Sequence, residues 1–165
     1  MPIGNPMESE TAYIEGGRVR RIWITSIPVS DLQRAIDFYV CVLDLPLQLD
    51  ARQNNWLEVG PDEPGSKIGL FVPPKADKRQ PGGPTGVVLE TDSIFEFHRR
   101  LVDEEVVFKL KPEKRGLGEL VAIFLDPDGN ELQVMEDPER YSRRPKPAQP
   151  EKLDRSERER GCRLR

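Results

Sequence analysis

Residues 21–45 read RIWITSIPVSDLQRAIDFYVCVLDL, and the fold is decided there. Arg21 to Val29 is rich in β-branched and aromatic side chains and closes on Pro28, so it reads as a strand ending in a turn. Ser30 or Asp31 follows at a helix start, where a short oxygen-bearing side chain accepts from the free N–H groups of the first turn. Leu32, Ala35, Ile36, Tyr39 and Leu43 recur at helical spacing and form a buried stripe. Strand then helix, with one greasy side each, is the seed of a layered α+β unit.

Outward from this stretch the pattern completes itself and repeats. Strands are expected at 45–50, at Trp56–Val59 and at Lys67–Val72, the last terminated by Pro73 and Pro74. Gly86–Thr91 opens a second round. Asp92 or Ser93 caps a helix carrying Ile94, Phe97, Leu101 and Val102, and strands follow at Val106–Leu110, Leu120–Leu125 and Glu131–Met135. The turn Asp126-Pro127-Asp128-Gly129 joins the last two. The order is β-α-β-β-β, twice.

Alternation divides the strand faces. Leu57 and Val59, Ile68, Leu70 and Val72, Val87 and Leu89, and Leu132 and Val134 give each strand an apolar side suited to lie under a helix. The opposite side carries Trp56 and Glu58, Lys67, Gly69 and Phe71, Gly86, Val88 and Glu90, and Glu131, Gln133 and Met135. Such a mixed face of small, polar and aromatic groups is where a ligand is expected.

Three segments in this order resemble a known family. Val29-Ser30-Asp31-Leu32-Gln33-Arg34-Ala35-Ile36-Asp37-Phe38-Tyr39 with Val42-Leu43-Asp44-Leu45 resembles the opening strand-helix signature of the glyoxalase/bleomycin-resistance/extradiol-dioxygenase (vicinal oxygen chelate) superfamily. Gly82 to Asp92 is similar to the start of its second half, and Asp126 to Gln133 to its closing turn and strand, so the resemblance covers about 21–137. It implies an α+β fold of two βαβββ units forming a curved mixed sheet around a cleft, with helices on the convex side and dimerisation completing the site. Metal-dependent members place one ligand on each of four strands. The matching positions here are Ile24, Gly69, Gly86 and Gln133, the last where the family usually has Glu. Ile and Gly supply no lone pairs and one amide oxygen holds a divalent ion weakly, so no metal and no cofactor are expected.

Composition bounds the rest. The 165 residues fit one domain: a leader at 1–17, a glyoxalase-like domain at 18–141 and a charged tail at 142–165. The net charge of −4 splits into +5 on the tail and −9 on the body, an acidic balance that disfavours nucleic acid. No apolar run is long enough to span a membrane, and with only Cys41 and Cys162 a disulfide framework is not expected, which points to the cytoplasm. His98 reads as a surface or interface histidine and Cys41 as a packing thiol without an activating neighbour.

The expected function is metal-free binding of a small organic molecule by a homodimer. Its acidic cleft would be lined by Ile24, Ser26, Trp56, Glu58, Gly69, Phe71, Gly86, Val88, Glu90, Gln133 and Met135. Aromatic side chains beside glycines suit flat or cationic ligands, and the alternative is that Trp56 and Phe71 cover a dimer interface. The alternative is a metal-dependent lyase, isomerase or dioxygenase of the same superfamily with ligands at other positions.

Overall fold

The computed structural model describes residues 19, 21–61, 65–116 and 118–136. The expected leader, the expected tail and Cys162 lie outside them. Two mixed four-stranded sheets account for the strands. The first comprises β1 (Ile24–Pro28), β2 (Leu47–Ala51), β3 (Trp56–Val59) and β4 (Lys67–Phe71), in the order β1-β4-β3-β2. The second comprises β5 (Gly83–Glu90), β6 (Phe108–Lys114), β7 (Leu120–Leu125) and β8 (Asn130–Glu136), in the order β5-β8-β7-β6. In each, the first strand pairs parallel with the last and the remaining pairs are antiparallel. Neither sheet closes into a barrel. The doubled βαβββ order is the one the sequence dictates.

Between the first two strands of each unit runs a helix, α1 (Leu32–Ile36) and α2 (Ile94–Asp103). Of the two candidate caps for α1, Asp31 does the work, accepting from the Arg34 N–H at 2.7 Å. The helix then widens into a π-helical stretch over Asp37–Val42, where the Leu43 N–H donates to the Phe38 carbonyl five residues back. That extra residue per turn lets consecutive Phe38 and Tyr39 both point inward, where regular spacing places only Tyr39 in the stripe.

The second helix departs from expectation at both ends. Ser93 stands at the cap position without a side-chain bond, and the Ile94 N–H donates instead to the Glu136 carboxylate of β8 at 2.7 Å. Val102, expected in the buried stripe, is exposed, while Ile94 and Leu101 are fully buried.

The apolar strand faces and both helices merge into one core containing Leu57, Val59, Ile68, Leu70, Leu132 and Val134. Polar groups cross that core at one place. Tyr39 Oη donates to Asp126 at 2.8 Å. Asn130 Nδ2 donates to Asp126 Oδ2 at 2.7 Å and to the Pro28 carbonyl at 2.9 Å, and Asn130 Oδ1 accepts from the Gly82 N–H at 2.8 Å. Asp128 accepts from Ser30 and pairs with Arg34. The turn between β7 and β8 thereby rivets the two halves together, a role beyond turn formation. Burial first, then the charge and hydrogen bond of Asp126, push the Tyr39 phenol far above its ordinary range.

Cys41 faces outward and is disulfide-bonded. It is not the packing thiol expected, and cysteine usage no longer argues for a reducing compartment. Among the described residues no helix is long and apolar enough to cross a membrane.

Candidate functional site

Because both sheets turn their apolar faces into a shared core, their mixed faces are directed away from it. On the first sheet, strand register sets Ser26 beside Gly69 and Gly69 beside Glu58, with Phe71 beside Trp56. The benzo edge of the Trp56 indole packs against Gly69. A Cβ at that glycine would fall 2.4 Å from Trp56 Cη2 and 3.2 Å from Ile24 Cδ1, so only glycine admits the ring. Trp56 Nε1 donates to Glu58 Oε1 at 3.1 Å, and Lys67 Nζ meets Glu58 Oε2 at 3.3 Å. Phe71 continues the aromatic surface, its ring 6.3 Å from that of Trp56 and inclined by 29°. The space expected beside Gly69 is therefore filled by the protein's own indole.

On the second sheet, register places Val88 beside Gln133 and Glu90 beside Met135. Gly86 has φ of +74°, where the pairing of β5 with β8 is irregular, and nothing lies within 4 Å of where its Cβ would be. Val88 is 52% exposed. Ile123 and Val121 share this face, in register with Gln133 and Met135. The uniformly apolar run of β7 had concealed them. No strand of one sheet pairs with a strand of the other, so within the chain the two sets of expected residues sit on separate sheets.

Charge on these faces is largely cancelled. Glu58 is paired with Lys67, and Glu131 with Lys109 at 2.6 Å. The loop between β4 and β5 adds a cation absent from the sequence expectations: the Arg79 guanidinium carbon stands 4.9 Å from the centre of the Phe71 ring. Asp77 holds it through Nε at 3.3 Å and Nη2 at 3.0 Å, and accepts from the Arg79 N–H at 2.9 Å. The pair depresses the Asp77 carboxyl and raises the Arg79 guanidinium, through the mutual side-chain hydrogen bond first. An Asp two residues before an Arg, after Pro73-Pro74, is the sequence signal for this device.

A divalent metal does not fit the positions that the superfamily uses. Ile24 carries only hydrocarbon, Gly69 and Gly86 have no side chain, the first of them covered by the Trp56 indole, and Gln133 offers one amide. Among the described residues, no three or more His, Cys, Asp or Glu side chains gather in a group able to hold a metal ion. His98 is no base for this face either, since its ring packs edge-on against Phe108 at 4.5 Å with Nε2 buried and unpaired. Of the surface or interface position expected for it, the structure gives a partly buried one on α2.

Two βαβββ units, each with a helix against one face and a mixed face on the other, define an α+β fold of paired modules. The chain belongs to the Glyoxalase/Bleomycin resistance protein/Dioxygenase superfamily, whose family model matches residues 21–134. A superfamily member from Sphaerobacter thermophilus DSM 20745 is similar at 32% identity and a TM-score of 0.67, over 72% of this chain and 98% of that one. TnmS3, an antibiotic binding protein from Streptomyces sp. CB03234, is similar at 28% identity and a TM-score of 0.63, over 72% and 96%. A glyoxalase/bleomycin resistance protein from the same organism is similar at 29% identity and a TM-score of 0.59, over 69% and 98%. No curated protein matches the chain.

Proposed function

We propose that the chain binds and sequesters a small flat organic molecule, using the Trp56–Phe71 surface as its platform. One observation carries this reading: an indole packed against a glycine and fixed by Glu58, itself fixed by Lys67. A ring already immobilised loses little conformational freedom when a ligand stacks on it, so more of the contact energy appears as affinity. Ile24, Ser26 and Gly69 complete the floor. Gly86, Val88, Glu90, Gln133 and Met135 would form the opposing wall, contributed by a second copy of the chain, since Val88 is left open to solvent. The antibiotic-binding description of TnmS3 supports binding as the activity of this fold at comparable identity.

The test is a titration with a neutral flat probe, naphthol, on a Trp23→Phe background in which Trp56 is the sole indole. Saturable quenching is expected. Trp56→Ala, followed by calorimetry, and Phe71→Ala should each raise the dissociation constant about tenfold, near 1.4 kcal/mol. Both variants should keep a cooperative unfolding transition. Unaltered affinity in both would remove the platform. Sedimentation of the same samples as monomers would remove the completing copy.

A further inference from the structure

Phe71 is already covered by a cation belonging to the protein. Arg79 stands over the ring at 4.9 Å, and Asp77 grips two of its five N–H donors. The loop that carries them is itself braced. The Asp77 N–H donates to the Pro74 carbonyl at 2.9 Å, and Gln80 Nε2 donates to the carbonyls of Pro74 and Asp77 at 3.1 and 2.6 Å. Arg79 is thus presented in a fixed pose although its side chain is 64% exposed.

From this arrangement we infer that Arg79 sets the charge preference of the platform, selecting flat aromatic ligands that carry an anionic edge over cationic ones. The inference rests on the reading of Trp56 and Phe71 as a binding surface. Its physics is local. A cationic ligand stacking beside Trp56 would compete with Arg79 for the electron-rich face of Phe71 and meet its charge at close range. Asp77 does not cancel the effect directionally, because its carboxylate is engaged with the guanidinium while three N–H donors remain for an incoming oxygen. A carboxylate, sulfonate or phenolate on the ligand rim would meet those donors as a charge-assisted pair. The flat or cationic preference expected from aromatics beside glycines is thereby narrowed to the flat, acceptor-bearing kind.

The experiment compares naphthoate with naphthylmethylammonium, matched in skeleton and opposite in charge, against the wild-type chain, Arg79→Gln and Arg79→Lys. The wild type should bind naphthoate about tenfold more tightly than the ammonium probe. Arg79→Gln should bring that ratio to about one, mainly by weakening naphthoate, while neutral naphthol changes by less than about threefold. Arg79→Lys keeps the charge without the planar fork and should retain part of the preference. A wild-type ratio near one, a preference for the ammonium probe, or a ratio unmoved in Arg79→Gln overturns the inference. In those outcomes naphthol still binds and the platform stands. If naphthol itself fails to bind the wild type, the platform and the Arg79 role fall together.

Discussion

The molecule immobilises side chains with hydrogen bonds in two places, and the purposes differ. At the rivet, Tyr39, Asp126 and Asn130 are buried and their partners come from both halves of the chain, from Pro28 to Gly82. On the first sheet's outer face, Glu58 and Lys67 hold Trp56 within a single half, and the ring they hold is only partly covered. The inner network fixes how the halves sit together. The outer one fixes a surface that the fold does not itself require. Buried bonds that span halves hold the fold together, whereas bonds that brace a partly exposed aromatic suit the binding platform proposed for it.

The comparison can be broken most forcefully at the rivet. Asn130→Ala removes three hydrogen bonds from a buried side chain and takes a donor from the partly buried Pro28 carbonyl, so urea unfolding should show a loss of about 3 kcal/mol. Naphthol affinity measured below the transition should stay as in the wild type. A parallel loss of affinity would mean that the two networks are coupled. Gly69→Ala attacks the other region. Its new Cβ must expel the indole, with a stability cost of about 1–3 kcal/mol and an affinity loss like that of Trp56→Ala. A Trp56 emission spectrum identical to wild type would show that the ring never lay on Gly69.

Alkaline titration gives the smallest effect and separates the regions by pH. The folded-state pKa of Tyr39 is raised, so the stabilisation of its neutral phenol is full below the unfolded value of about 10 and is lost as pH rises above it. Between pH 10 and 11 the wild type should lose roughly 1 kcal/mol more stability than Tyr39→Phe does. Parallel pH profiles for the two proteins would contradict the burial of that phenol beside Asp126.

Much of this was legible in the chain itself, for a definite reason. Period-two alternation in β3, β4 and β8 separates Leu57, Leu70 and Leu132 from Trp56, Phe71 and Gln133, and a face assigned that way cannot slip without inverting every neighbour. Where alternation vanishes, so does the reading. The uniformly apolar Leu120–Leu125 conceals which residues face outward. Phe38 was missed because a π-helical turn breaks regular spacing. The Glu136 cap depends on a contact between segments distant in sequence, which no local pattern encodes. The glycines were legible as open space beside the aromatics, which holds at Gly86 and fails at Gly69. What approaches Gly69 is an indole of the same chain, and pattern alone does not supply that.

The bond from Glu136 to the first turn of α2 has a practical corollary. A helix that starts at residue 94 owes one of its opening hydrogen bonds to the final residue of β8, 42 positions downstream. Any trimming from the carboxyl side that removes Glu136 would fray the start of α2 together with the last β7–β8 pair, Leu120 with Glu136. The minimal length of this fold is therefore dictated by a helix that was built long before the chain reaches it.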